Sequence, residues 1–197
     1  MDGAVAFRRA FHVASPLFLG YYLIPEDLGG GITRMALTLL FLGTAACVEI
    51  ARIALGVKLF GMRPYEGNRV SAYAQGTAAL AVGIFVVREP QIVVPVFMGM
   101  AWIDPLAAYA RKKGWTRGIP VLAYGALFLG IEAALSPFVP NPLSWPTKVL
   151  FAALATATAM PLEGPRIPQL DDDLLMQVVP MALLVPTFWG LQAAGLW

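Results

Sequence analysis

Seven apolar runs, separated by short turns rich in charge, Pro and Gly, leave this chain few ways to fold. They read as helices over about Ala4–Ile24, Ile32–Phe60, Ser71–Val87, Gln91–Asp104, Ile119–Phe138, Thr147–Leu162 and Leu174–Gln192. A hydrocarbon core is spanned by about 20 apolar residues, which most of these runs approach or exceed. Of the 197 residues 58% are hydrophobic and 13% charged, about half the charge of a soluble domain. A soluble core of this size cannot hide that much apolar surface, and a bilayer can. The expected fold is all-α, a polytopic membrane helix bundle of about seven transmembrane helices in a single domain.

Several chemistries are excluded at once. The net charge of +2 is too small to point to nucleic acid, and a lone Cys47 allows neither a disulfide framework nor a cysteine metal site. His12 is the only histidine, so a His cluster is excluded too. A divalent metal would rest mainly on oxygen ligands, which favours Mg2+ or Mn2+. Arg8 and Arg9 ahead of an apolar run resemble a signal peptide, but no small-x-small cleavage site follows, and the run reads as a retained first helix. Gly29–Gly31 lack a following Lys-Ser or Lys-Thr and read as a turn, not a phosphate loop.

Orientation follows from the basic residues. With seven crossings, of the 14 Lys and Arg only Arg34, Arg88 and Lys148 fall on the C-terminal side. The N-terminus is therefore expected in the cytoplasm. The acids are more telling, because topology does not require them there. Glu49, Glu66, Asp104, Glu163 and Asp171–Asp173 gather on the same side as Arg8, Arg9, His12, Arg52, Arg63 and the run Arg111-Lys112-Lys113.

Each feature has a plain alternative. Glu49 and Arg52, three apart on one helix face, suit a structural ion pair as well as a functional one, and Arg63 and Glu66 repeat the pair in reverse order. Asp104-Pro105 reads as an N-cap followed by Pro at the first helical position, so the fourth helix is expected to break there and restart over Leu106–Lys113. Asp173 is a candidate cap for the last helix, which Pro180 and Pro186 are expected to bend. The basic run is a common membrane-surface anchor.

Carboxylates clustered beside Arg and Lys at a membrane surface suit a nucleotide–Mg2+ complex. Phosphoryl transfer asks the protein for metal ligands, cations for the phosphates and a positioned hydroxyl, and a lipid alcohol could present that hydroxyl from the bilayer.

Four segments, in order along nearly the whole chain, carry a resemblance: Arg8-Arg9-Ala10-Phe11-His12, Glu49-x-x-Arg52, Asp104-Pro105-Leu106-Ala107-Ala108, and Glu163 with Leu170-Asp171-Asp172-Asp173 and Pro180. Together they resemble the CTP-dependent polyprenol kinases, the group with dolichol kinase, phytol kinase and the yeast-type CTP-dependent diacylglycerol kinase. The chain departs from them by lacking a Lys-Ser-x-Glu-Gly-like segment after Asp104-Pro105, and by Asp173 where Asn is usual. The resemblance implies phosphoryl transfer from CTP to a lipid alcohol. It implies Mg2+ on Asp104, Asp171 and Asp172 with Glu163 close by and Asp173 as an extra carboxylate, phosphates on Arg111, Lys112 and Lys113 with Arg8 or Arg9, and His12 or Asp172 as general base. A lipid nucleotidyl- or phosphotransferase and a small transporter with a charged cytoplasmic vestibule are the competing readings. Monomer and homodimer both remain open.

Overall fold

The computed structural model describes residues 3–63, 66–67, 69–164, 167 and 169–196. Arg166, counted above with the basic residues, lies outside them, as do Pro64, Tyr65, Asn68, Pro165 and Pro168. The described residues form helices and no strand: α1 (Gly3–Ala14), α2 (Arg34–Leu55), α3 (Ala72–Val82), α4 (Pro90–Lys113), α5 (Gly118–Leu135), α6 (Trp145–Ala159) and α7 (Asp172–Ala193). Tighter or wider turns extend four of them: a 3-10 segment Ser15–Tyr22 after α1, a π turn Gly83–Val87 after α3, a 3-10 turn Ser136–Phe138 after α5, and a 3-10 turn Met160–Leu162 after α6. Four helices, α2, α4, α5 with its extension to Phe138, and α7, are long and apolar enough to cross a membrane.

Local chemistry sets the ends. Pro16 has no N–H for the His12 carbonyl, and the Ser15 hydroxyl donates to that carbonyl instead at 2.7 Å. The α-helix expected as far as Ile24 therefore becomes a 3-10 helix at Ser15. α2 stops at Leu55, short of the expected Phe60, because Gly56 takes the left-handed conformation (φ 65°) that closes a helix. Two expected boundaries are corrected. α4 runs unbroken through Asp104-Pro105 to Lys113. The helix around Pro105 is held by burial of Ala101, Ile103, Ala107 and Ala110, and packed neighbours make an interior Pro tolerable in such a helix. α7 is capped by Asp171, whose side chain accepts from the Asp173 N–H, and not by Asp173. Pro180 and Pro186 both lie inside the continuous α7.

The seven segments run alternately between two ends. At one end α1 meets α4 and α7 through His12, Asp104 and Asp173, the loop after α2 reaches Asp171 through Arg63, Gln75 at the start of α3 donates to the Gln169 carbonyl, and Arg111 near the end of α4 bonds Glu163 beyond α6. At the other end Tyr21 meets Arg34 at the start of α2 and Phe85 at the end of α3. There Gln91 bonds the backbone of Asn141 and Leu143, and the Lys148 ammonium donates to the Ser136 hydroxyl.

α4 is the central helix. Its Ile92, Val93, Val96, Phe97 and Met100 pack with Tyr124 and Phe128 of α5, Phe151 and Ala155 of α6, and Met176 and Leu184 of α7. α2 is peripheral, with Arg52 its only buried residue. A helix apolar on every side and left uncovered suits contact with lipid.

The α4–α5 seam depends on Gly99. A Cβ built there would lie 2.6 Å from the ring of the fully buried Tyr124. Gly99→Ala should cost about 1–3 kcal/mol, the usual penalty for overpacking, read as a lowered melting temperature in detergent. An unchanged melt would mean that the two helices can separate at no cost.

Candidate functional site

Three helices bring one residue each to a common point. His12 lies one turn after Arg8 on α1, so the two share a face. Phe97, Met100, Asp104, Ala108 and Arg111 fall at three- and four-residue spacings on α4, forming one stripe. α7 begins at Asp172, which places Asp173 in its first turn. His12 Nδ1 lies 3.5 Å from Asp173 Oδ2, and its Nε2 lies 3.8 Å from Asp104 Oδ2 and 3.4 Å from the Met100 carbonyl. One ligand atom of each of His12, Asp104 and Asp173 falls within 4.8 Å of the others. Asp173 is buried, and its Oδ1 has no hydrogen-bond partner among the described residues. Two carboxylates this close repel one another unless positive charge stands between them, which a bound cation or a protonated imidazole would supply.

The three aspartates of the acidic stretch divide the work. Asp171 is used up by structure. Its Oδ1 accepts from the Asp173 N–H at 3.2 Å, its Oδ2 accepts from the Arg63 guanidinium at 2.7 Å, and its own N–H donates to Gln75 Oε1 at 2.8 Å. Asp172 lines the cavity at the site, and its Oδ2 accepts from the Gly164 N–H at 3.4 Å. Asp173 alone faces His12. The resemblance implied the metal on Asp104, Asp171 and Asp172; the geometry brings Asp173 to Asp104, and one ligand atom of each of Asp171, Asp172 and Asp173 also falls within 4.8 Å of the others, a second carboxylate cluster.

The cavity around this point has a volume of about 200 Å3. Arg8, Arg9, Arg63 and Arg111 line it together with His12, Asp104, Asp172 and Asp173, while Phe18, Leu80 and Phe97 supply apolar wall. A wall that is charged in one part and apolar in another suits an amphiphile with a polar head. The α3 face contributes Ala72, Gly76 and Thr77, small side chains that leave the space open.

Other anticipated residues lie elsewhere. Lys112 and Lys113 line neither this cavity nor the larger one beside it. Lys113 Nζ instead lies 5.8 Å from the Tyr109 ring centre. Glu163 is bonded to Arg111 and belongs to neither carboxylate cluster found among the described residues.

The pairs Glu49/Arg52 and Arg63/Glu66 form a clamp behind the site. Arg52 is 3% exposed. Its Nε and Nη2 donate to the two Glu49 oxygens at 2.9 and 2.6 Å. Its remaining donors reach the carbonyls of Glu66, Gly67 and Arg69. Glu49 also accepts from the Ser71 N–H and hydroxyl. Glu66 accepts from the Arg63 N–H. The loop between α2 and α3 is thereby fastened to α2, and it presents Arg63 to Asp171.

Gln75 was missed in the sequence, though it has a signal there: a lone amide in an Ala/Gly-rich helix. Its Nε2 donates to the carbonyls of Val70 and Gln169 while its Oε1 receives the Asp171 N–H, so it sets the entry to α7.

Searches of protein-family models, curated proteins and solved structures find no match to the chain.

Proposed function

We propose that this protein is a membrane-embedded lipid kinase. It moves a phosphoryl group from a nucleoside triphosphate, CTP by the resemblance above, to the hydroxyl of an isoprenoid or related lipid alcohol. The observation that carries this reading is the meeting of His12, Asp104 and Asp173, from three separate helices, in a cavity that arginines line in one part and apolar side chains in another. Seven crossings with the site end in the cytoplasm complete the reading. They are supported by the alternating path of the seven segments and by the basic residues gathered at that end.

The carboxylates suit a divalent cation. Asp173 Oδ1 is buried without a partner among the described residues, and Asp104, Asp173 and the neighbouring Asp172 offer the oxygen ligands that Mg2+ or Mn2+ prefers. When bound, such an ion would offset the charge of the phosphates. The rest falls to the chain. Arg8, Arg9, Arg63 and Arg111 neutralise and orient the phosphates. The apolar wall receives the first part of the lipid chain and excludes water from the reacting oxygen. His12 Nε2 takes the proton of the attacking hydroxyl as the new P–O bond forms and the bond to the nucleoside diphosphate breaks. The Met100 carbonyl and Asp104 then stabilise the resulting imidazolium.

A transport reading has less support. The cavity at the opposite end is lined by Tyr21, Arg34 and Arg88 among others and shares no residue with the site.

The test is the fate of the label. Purified protein in lipid with Mg2+ should move γ-phosphate, not the α-phosphate, of CTP onto an added polyprenol. Label transferred from the α-position would make it a nucleotidyltransferase. No transfer from any nucleoside triphosphate to any of several lipid alcohols would reject the kinase reading.

A further inference from the structure

The cavity holding His12, Asp104 and Asp173 measures about 200 Å3, below the roughly 300–1,000 Å3 of small-molecule sites. It can take phosphates and a hydroxyl but not a whole nucleotide. A second cavity of about 590 Å3 adjoins it, and among the described residues Arg111 alone lines both. Trp115, Thr116 and Arg117 form one part of the second wall, and Glu163 with Gly164 another. Trp115 is held at the end of α4, where its backbone N–H donates to the Ala110 carbonyl at 2.9 Å and its ring meets Tyr109 edge-on, yet it is 45% exposed. An indole fixed in place and left uncovered offers a flat face to a base, and base–aromatic stacking needs no particular sequence of polar groups.

Resting on the kinase reading, we propose that the second cavity is the nucleoside pocket. The base stacks on Trp115, and the triphosphate runs past Arg111 to Asp104 and Asp173. The Arg111–Glu163 bond stands across that path. Glu163, with 8% of its side chain exposed, holds the guanidinium that a phosphate must recruit, so it acts as an internal competitor for the nucleotide and not as a metal ligand. A guanidinium is where carboxylate and phosphate exchange most readily, because its fork of N–H donors fits both.

Equilibrium binding to the full-length protein in detergent with Mg2+, using CTP and inorganic triphosphate as probes, tests this. Trp115→Ala should weaken CTP about tenfold or more and leave inorganic triphosphate unchanged. Glu163→Gln should tighten both. CTP binding unaffected by Trp115→Ala would overturn the pocket and leave the kinase reading standing. An equal loss of both probes would also overturn it, by making Trp115 a structural residue. Weaker binding in Glu163→Gln would make Glu163 a ligand and overturn the competitor role. A wild-type protein that binds no nucleoside triphosphate would remove the kinase reading itself.

Discussion

Asp173→Ala should reduce phosphoryl transfer by about 10³-fold or more, the scale of losing several kcal/mol of charge stabilisation at the reacting phosphate. It should do so without unfolding the protein. The cap that starts α7 is Asp171, not Asp173. Asp171→Ala should behave in the opposite way. It removes the cap, worth about 0.5–2 kcal/mol, together with the bond to Arg63, so the melting temperature falls first and activity falls with it. Transfer assays and thermal melts on the two variants separate the roles. If Asp173→Ala kept near wild-type transfer, the metal would have to rest on Asp104, Asp171 and Asp172, as the resemblance implied.

Arg52→Met should be the most destabilising single change considered. It leaves Glu49 without its charged partner and takes one donor from each of three loop carbonyls. Breaking a buried ion pair from one side costs about 3–5 kcal/mol. The effect should reach the site, because the released loop carries Arg63, which holds Asp171. Expected results are a large drop in melting temperature, proteolytic nicking between α2 and α3, and loss of transfer. Glu49→Gln combined with Arg52→Met should cost less than the sum of the two single changes, since they share one interaction. Additive losses, or an Arg52→Met melt close to wild type, would show that the loop is held by something else.

The apolar runs made the helices legible, and most ends fell within a few residues of expectation, because the stop signals are local: Pro16, Gly56 and Gly114 act on the chain around them. The gathering of charge at one end was legible for a similar reason, since it follows from which turns hold the acids and bases. What escaped was the choice of partner. Asp104-Pro105 has the local form of a helix start, and only the burial of Ala101 and Ala107 in the core explains why α4 continues. Asp171, Asp172 and Asp173 look equivalent in sequence. Rotation by about 100° per residue gives each a different neighbour once the chain enters α7, and Arg63 lies 108 positions from the aspartate it binds. The same rotation was readable for Arg111, two turns after Asp104 and on its face, and for Lys112 and Lys113, which turn away from it. Gln75 escaped because an isolated amide announces that it needs partners but not which ones.

The account stands on one structural claim, that Asp104 of α4 and Asp173 of α7 serve a single cation with the nucleotide. Binding of Mn2+ to the full-length protein with CTP present, followed by electron paramagnetic resonance, tests it most directly. The expected result is one bound Mn2+ per chain, lost to a similar degree in Asp104→Ala and in Asp173→Ala, with little further loss in the double variant because the two carboxylates act as a unit. Full Mn2+ binding in either single variant would contradict the shared site.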